Sequence, residues 1–351
     1  MIRRTKTAVG ALAAAAALLL GGGVLTACTT GSTDSSADDT APSATSSVDP
    51  GAFPVTIKHA FGETTITSEP KRIVSIGSSD QDMLLSLGVV PVGMQKVTWG
   101  GDAQGSTPWF EAKLKELGGT MPTLIDETDD IPVDEVAKLN PDLILATLSG
   151  ITKAQYTKLS KIAPVVAYPG KPWMTTWQQS LEMTGEAVGR SDLASQVEKQ
   201  TEADFAQARK DYPQIQGKTF IWGALATTDL SQIYYYTPND LRPVFLTSIG
   251  MKNAPVIERI SPKNAFYGQL SAERASELKS DFFFTYATKK SDAATFADDK
   301  LLGQIPAIKS GHFWASTDNI ASNAAGVPTP LSVPYAIKHF VPKVAEAVAG
   351  K

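Results

Sequence analysis

From Val55 onward, short apolar runs alternate with stretches in which apolar residues recur at helical spacing. The runs are short enough for buried strands, and Gly, Pro, Ser or Asp separates them from the helical stretches. This alternation is typical of α/β proteins. Ser78, Ser79 and Asp80 are placed to cap a helix. Strands are predicted at 73–76, 89–94, 143–146 and 164–168, and helices at 81–87 and 134–139.

One long helix is predicted in the middle of the chain, at 190–213. Its apolar face is formed by Leu193, Val197, Thr201, Phe205, Ala208 and Tyr212. Pro213 and Gly217 end it. The first pattern then repeats: a strand at 219–222 follows, and segment 273–284 keeps the acid, Leu and Asp of segment 134–145 at the same offsets. Chance similarity of two amphipathic helices is the alternative to a true repeat.

The repeat predicts an α/β fold of two Rossmann-like lobes, 55–189 and 214–351, joined by this single helix. Open α/β sheets bind ligands beyond the carboxyl ends of their strands, so we expect these ends to face one another across a cleft. A hinge made of one helix predicts only modest closure of the lobes.

The first 27 residues have the pattern of a secretory signal peptide. Arg3, Arg4 and Lys6 precede an apolar run at 8–27, for which an uncleaved membrane anchor is the alternative. The run ends in Leu-Thr-Ala-Cys at 25–28, which resembles the lipobox of bacterial lipoproteins. That resemblance implies a lipid on Cys28 and a mature protein at the extracellular face of the cell membrane.

Residues 28–54 are predicted to form a flexible tether between the lipid and the folded body. Ser, Thr, Asp, Ala and Gly dominate the segment up to residue 50, and no large apolar residue occurs there. Such a segment cannot bury enough surface to offset the entropy of ordering it.

Composition excludes several classes of site. The chain has 351 residues and a net charge of -4, which does not favour a nucleic-acid partner. One cysteine excludes an internal disulfide and any cysteine-based metal centre, and His59, His312 and His339 have no metal-binding spacing. Nucleophile-elbow, phosphate-loop and dinucleotide motifs do not occur, so an enzyme is disfavoured. The predicted two-lobe plan argues against a structural or adhesive lipoprotein.

Several segments together carry a family resemblance. They are Arg-Ile-Val-Ser-Ile at 72–76, Leu-Gly-Val-Val-Pro-Val-Gly at 87–93, Leu-Asn-Pro-Asp-Leu-Ile-Leu at 139–145 and the tail at 328–335. The chain resembles the class III (cluster A-II) substrate-binding lipoproteins of bacterial ABC importers, and the tail is similar to their iron–siderophore branch. The resemblance implies a monomer that captures a ferric siderophore and delivers it to an ABC permease. Haem or cobalamin is the alternative ligand.

A siderophore already supplies the oxygen ligands of its iron, so no cofactor and no direct metal site are expected. The chelate would be recognised by shape, aromatic contact and charge. We therefore select polar, aromatic and arginine residues beyond predicted strand ends, although each has ordinary packing as an alternative and Arg242 has Asp240 as another partner. Alternation along a strand points Tyr235 away from its neighbours. The candidates are Ser78, Trp99, Tyr168, Trp173, Tyr234, Tyr236, Arg242, Tyr267, Tyr286 and Trp314.

Docking to the permease involves one acidic residue on each lobe in this family. The resemblance places these acids at Asp134 and Glu273. Asp134 departs from the usual Glu, so Glu135 shares the first role. The alternative is a helix N-terminal acid that interacts with the helix dipole.

Overall fold

The structure is a computed structural model, and it describes residues 47–351. The predicted signal peptide, Cys28 and the tether up to residue 46 lie outside the described residues. No helix within 47–351 combines the length and the apolar composition needed to cross a membrane.

The N-terminal lobe is built on a parallel sheet with helices on its faces. A hairpin, β1 (Val55–His59) and β2 (Gly62–Ile66), precedes it. The sheet contains β3 (Ile73–Ser75), β4 (Gly93–Gln95), β5 (Thr123–Ile125), β6 (Leu143–Ala146) and β7 (Val165–Ala167). The helices are α1 (Asp80–Ser86), α2 (Pro108–Glu116), α3 (Val133–Lys138), α4 (Lys153–Leu159) and α5 (Trp177–Val188). The strand order is β5-β4-β3-β6-β7.

Helix α6 (Ser191–Asp211) connects this lobe to the second one. The C-terminal lobe contains β8 (Thr219–Ala226), β9 (Asp229–Tyr236), β10 (Lys252–Asn253), β11 (Tyr267–Ser271), β12 (Phe282–Tyr286) and β13 (Phe313–Ser316). Its helices are α7 (Leu241–Ser248), α8 (Pro255–Ile260), α9 (Asp292–Asp298), α10 (Pro306–Lys309), α11 (Asn319–Gly326), α12 (Ser332–His339) and α13 (Val341–Val348). The strand order is β11-β9-β8-β12-β13, and β10 pairs with the start of β8.

The sheet of each lobe is buried because its strands are apolar on both faces. In β6 and in β12 the apolar residues form an unbroken run, as expected for strands covered by helices on both sides. The antiparallel pair β9 and β11 is different, since it alternates buried and exposed residues. Tyr235 therefore points inward and donates its hydroxyl to the Ile260 carbonyl, as the alternation predicts.

One apolar core runs through both lobes along α6. Phe205 of α6 packs against Trp177 of the first lobe and Phe245 of the second, with ring centroids 6.4 and 5.7 Å apart. Phe340 extends this cluster by stacking on Trp222 at 5.4 Å. The lobes are thus joined by a shared core as well as by the connecting helix.

Three local predictions differ from the structure. α1 begins at Asp80, one residue earlier than predicted, and Ser79 at its N-cap makes no capping hydrogen bond from its side chain. The strand predicted at 89–94 begins only at Gly93. The repeated helix predicted around Glu273 is a 3-10 turn, Ala272–Glu277. The strands that follow the two repeat segments, β6 and β12, lie centrally in their sheets.

The end of the predicted tether is packed against the body. The Asp49 carboxylate accepts a hydrogen bond of 3.1 Å from the backbone of Asp192, at the start of α6. Phe53 contacts the shared core. Residues 49–54 therefore belong to the folded body, because Phe53 supplies the apolar surface that the rest of the predicted tether lacks.

Phe340 is fully buried and contacts rings from both sides of the C-terminal core. Phe340→Ala is expected to lower the free energy of unfolding by about 3–5 kcal/mol, because it leaves a cavity that the rigid neighbours cannot fill. Guanidinium unfolding followed by far-UV circular dichroism measures this loss. Leu301→Ala, at a side chain 39% exposed, is the control and should cost far less. Equal losses in the two variants would contradict the shared core.

Candidate functional site

A cleft between the lobes is lined by residues that lie just beyond strand ends. Ser78 follows β3 and Gln95 ends β4, and across the cleft Tyr286 ends β12. Arg242 reaches the same space from the first turn of α7. The cavity that these side chains enclose has a volume of about 250 Å³. The carboxyl ends of both sheets thus meet at one site, as expected for paired α/β lobes.

Arg242 is the most strongly held side chain of the cleft. Its Nη1 donates to Asp240 Oδ2 at 2.9 Å and to Oδ1 at 3.1 Å, and its Nε donates to the Tyr286 hydroxyl at 3.1 Å. The guanidinium carbon lies 4.1 Å from the centre of the Tyr236 ring. Asp240 also caps α7 by accepting from the Arg242 backbone. One carboxylate therefore fixes both the helix start and the guanidinium.

The Arg242 guanidinium remains protonated, and therefore positively charged, at neutral pH. Burial is the largest single influence and acts to lower the pKa of this guanidinium, but the combined attraction of Asp240, Tyr286 and Tyr236 and the hydrogen bond to Asp240 outweigh burial and raise it. Nη2 makes no hydrogen bond to a residue in the described part of the chain. The cleft therefore holds a permanent cation with donor capacity left for a ligand.

Aromatic rings surround this cation. The Tyr286 hydroxyl accepts a second hydrogen bond, from Trp222 Nε1 at 3.1 Å, and burial raises the pKa of Tyr286. Trp99 of the other lobe packs edge-on against Tyr286, with centroids 5.2 Å apart. Trp99 is nevertheless 45% exposed, so one of its faces is free for a ligand.

The loop that carries Trp99 touches the second lobe directly. The Asn323 side chain donates to the Gly100 carbonyl at 3.1 Å. Gly100 has a φ of +68°, and a Cβ there would lie 2.4 Å from Asn323. Only glycine permits both the backbone conformation and this approach.

Asp82 forms a second link between the lobes. Its Oδ2 accepts from Trp109 Nε1 at 2.7 Å and from the Thr329 hydroxyl of the C-terminal lobe at 2.8 Å. Burial raises the pKa of Asp82 to about 6, although the hydrogen bonds from Thr329 and Trp109 act in the opposite sense. Asp82 also lines the cleft cavity, so its contact with Thr329 of the other lobe lies beside the space proposed for a ligand.

Trp173 borders a neighbouring cavity of about 260 Å³, which Ser78, Arg242 and Phe266 also line. Its backbone has a φ of +63°, a strained conformation for a bulky residue, and the residue is 40% exposed. Two residues earlier, Lys171 donates to Asn264 of the other lobe. This loop therefore closes the cleft on the side opposite Trp99.

Two predicted candidates lie in the core instead. Tyr168 is buried beneath the β1–β2 hairpin, where it packs against Phe61 and donates to the Ile151 carbonyl. Trp314 lies within β13 rather than beyond it, and packs against Phe284 and Phe340. Neither residue lines the cavities around Arg242, because an aromatic residue near a strand end also serves to fill space between sheet and helices.

Tyr234 and Tyr267 form an exposed pair on the β9–β11 sheet. Their ring centroids are 6.3 Å apart, and they line a shallow cavity of about 210 Å³ with Tyr236. Neither borders the cavity that contains Trp99 and Tyr286. Tyr236 lies between this shallow cavity and the cleft, since its ring also lies under Arg242.

Sequence reasoning missed the polar residues of the first lobe. Gln95 Oε1 accepts from the Ser78 hydroxyl at 3.2 Å, and Gln95 Nε2 donates to Glu127 at 3.3 Å. Burial and the nearby Asp80 charge raise the pKa of Glu127 to about 8. Gln95 directly follows the strand predicted at 89–94, so the carboxyl-end rule that points to Ser78 also points to Gln95.

The predicted docking acids are exposed on separate elements. Asp134 and Glu135 lie in the first turn of α3, and Glu273 lies in the 3-10 turn of the second lobe. All three side chains are accessible to a partner, which their predicted role requires.

The described residues contain no cluster of side chains that could bind a metal ion directly. Within 47–351, no group of three or more His, Cys, Asp or Glu side chains is close enough together to hold a metal ion. The cleft combines the cations Arg242 and Lys96, the Asp82 carboxyl group, aromatic rings and amide or hydroxyl groups, which is a set suited to an oxygen-rich organic ligand.

Comparison with known proteins gives consistent matches. A family model described as periplasmic binding protein matches residues 73–319. The probable siderophore-binding lipoprotein YfiY of Bacillus subtilis is 27% identical over 78% of this chain and 83% of its own length. The ferric enterobactin-binding periplasmic protein FepB of Escherichia coli is 26% identical over 75% of this chain and 84% of its own length.

A solved structure extends the match to three dimensions. PiaA of Streptococcus pneumoniae, in complex with ferrichrome, superimposes with a TM-score of 0.80 at 34% identity. The match covers 84% of this chain and 99% of PiaA. The two-lobed architecture described above is therefore shared with a protein that was solved with an iron chelate.

Asp82 makes the stability of the fold depend on pH. Because its folded pKa of about 6 lies above the ordinary carboxyl value, the folded state holds the proton more tightly. Its contribution to stability is therefore greatest at low pH and is lost as the pH rises through about 6. Asp82→Asn cannot ionise, so its stability relative to the wild type should rise by about 1 kcal/mol between pH 5 and pH 7.

Urea unfolding of both proteins at the two pH values measures this difference. Asp298→Asn removes an exposed carboxylate and is the control. Its stability relative to the wild type should be the same at pH 5 and pH 7. If the stability of Asp82→Asn relative to the wild type is also the same at both pH values, the buried, ionisable contact between the lobes is refuted.

Proposed function

The chain belongs to the periplasmic binding protein family, and from this premise we propose that it captures a ferric siderophore between its lobes and delivers it to an ABC importer. The observation that carries the proposal is the cleft around Arg242, where a fixed cation and exposed aromatic faces meet. The proposed role is capture and release rather than catalysis.

The chemistry of a ferric siderophore fits this lining. Its iron is already enclosed by oxygen atoms, so the protein need not supply ligands. The chelate presents oxygen acceptors and often negative charge, for which Arg242 is the matching donor. Its organic frame presents apolar surface, which Trp99 and Trp173 can cover from the two sides.

The names of the relatives support the same ligand class. They mention a siderophore for YfiY, ferric enterobactin for FepB and ferrichrome for PiaA. Haem is less well matched, because none of the three histidines in 47–351 lines the cleft. His312 lies outside the cleft and contacts the Ser310 hydroxyl.

We further propose that the mature protein is a monomer anchored by a lipid on Cys28 at the outer face of the membrane. The lipoprotein names of YfiY and YhfQ, both from Bacillus subtilis, support this location. Asp134, Glu135 and Glu273 would then face basic residues of the permease, since they are exposed on the two lobes.

Arg242→Ala is expected to raise the Kd for a ferric siderophore roughly ten- to hundredfold, because a charged hydrogen bond contributes about 1.5–3 kcal/mol. Tryptophan quenching in titrations with iron-loaded chelates measures the affinity. Arg274→Ala removes an exposed arginine of the same lobe and is the control.

The thermal midpoint of each variant must also be measured, because Arg242→Ala leaves Asp240 buried without its partner. Arg242→Lys retains the charge but not the planar fork, and should bind with intermediate affinity. Wild-type affinity in a folded Arg242→Ala protein would remove this residue from the site.

Reversing the charges at Asp134, Glu135 and Glu273 to lysine is expected to abolish import while the Kd for the chelate stays within about twofold. Repulsion from basic permease residues is the physical reason. Uptake of radiolabelled ferric siderophore by cells that carry each variant measures import.

A matched control reverses three other exposed acids, Glu63, Glu202 and Asp298, and changes the net charge equally. Import should persist in this control. Loss of import in both variants, or loss of ligand affinity in the first, would contradict a docking role.

A further inference from the structure

A second cavity of about 400 Å³ opens beside the cleft, within the C-terminal lobe. Trp99 and Tyr286 line both spaces and form the wall between them. The second cavity lies at the carboxyl ends of β8 and β12, near the start of α11. It therefore occupies a position where α/β sheets commonly bind ligands, next to the site proposed for the chelate.

The floor of this cavity is apolar except for one carboxyl group. Leu225, Ala287 and Phe296 are buried there, and Asp292 is only 2% exposed. The rim is polar and exposed, and consists of Thr227, Thr228, Thr288 and Asn319. Among residues 47–351, no lysine or arginine lines the cavity.

Asp292 is held in place with one oxygen unused. Its Oδ2 accepts from the backbone nitrogens of Thr288 at 2.9 Å and of Lys289 at 3.1 Å. Its buried Oδ1 has no hydrogen-bond partner in the described part of the chain. A buried acceptor without a partner is costly, so a native structure that keeps one commonly uses it.

We propose that this cavity is an accessory subsite for an alkyl arm of the bound chelate that ends in a primary ammonium group. The ammonium pairs with Asp292 Oδ1, and the alkyl stem packs on Leu225 and Phe296. Trp99 and Tyr286 line both cavities, so an arm that reaches from one to the other would pass their rings, which also attract a cation. The inference rests on the proposed function, and it adds a preference for one class of siderophore.

The two subsites then divide the ligand by charge. Arg242 meets the oxygen-rich iron centre, and Asp292 meets a cationic arm at the far side of the Trp99–Tyr286 wall. A single carboxylate among apolar side chains offers too few oxygen atoms for a metal ion, which takes six or more ligands when it is calcium. An alkylammonium arm matches both the acidic and the apolar part of the floor.

The test compares two forms of one linear ferric trihydroxamate, the first with a terminal primary amine and the second with that amine acetylated. Acetylation removes the charge and leaves the iron centre unchanged. Isothermal titration at pH 7 should give the wild type a preference of about tenfold or more for the amine form, as expected for a charge-assisted contact. In Asp292→Asn the preference should disappear, while the Kd of the acetylated form stays near the wild-type value.

Two further variants isolate the effect. Asp298→Asn removes a carboxylate from the same helix outside the cavity, so it should keep the preference. Thr228→Lys places a competing ammonium at the rim and should abolish the preference without touching Asp292. This second variant keeps the test decisive even if Asp292→Asn folds poorly.

The outcomes separate the two proposals. If neither form binds the wild type, this inference fails, whereas the proposed function fails only if titrations with ferric siderophores of other types also show no binding. If both forms bind the wild type equally, the proposed function stands and the accessory subsite is refuted. A preference that survives in both Asp292→Asn and Thr228→Lys would also refute it.

Discussion

The pairing of Asp240 with Arg242 is the interaction on which the cleft depends. A partly buried guanidinium is costly to desolvate unless its donors are satisfied, and here the Asp240 carboxylate accepts from Nη1 and the Tyr286 hydroxyl accepts from Nε. The same carboxylate caps α7, so the position of the helix and that of the charge are set together. Tyr286 accepts a hydrogen bond from Arg242, and Trp99 packs against Tyr286, so both rings lie near a cation whose position does not depend on a ligand. A preorganised charge of this kind lowers the cost of binding an anionic or oxygen-rich ligand.

The lobes meet at several points around this charge. Asp82 and Thr329 join them beside the cavity, Gly100 and Asn323 join the Trp99 loop to α11, and Lys171 contacts Asn264 on the opposite side. The shared core along α6 links them underneath. Because these contacts surround the cleft, entry of a bulky chelate requires polar contacts at the rim to open while the core remains packed. Small changes in lobe position are therefore the expected response to a ligand, in agreement with a hinge formed by one helix.

Much of this architecture follows from the sequence, since the buried strands and the long amphipathic helix leave periodic signals that depend only on local composition. The run of Leu143 and its neighbours and the apolar face of α6 are such signals. The candidate site was harder to predict. Trp99, Trp173, Arg242 and Tyr286 line the cleft and its neighbouring cavity, whereas Tyr168 is buried in the core and Trp314 packs against it, partly buried. Ring orientation depends on packing between distant segments, which local sequence does not encode. Gln95 and Asp292 were missed for a related reason, because common polar residues acquire a role only through burial.

The central claim is that the cleft holds an iron that is already chelated and adds no bond to it. X-ray absorption at the iron edge, recorded for a ferric siderophore free in solution and bound to the purified protein, tests this most directly. The iron should have the same number of oxygen neighbours at the same distances in both samples. A new nitrogen or oxygen neighbour supplied by the protein, or a lost siderophore oxygen, would contradict it.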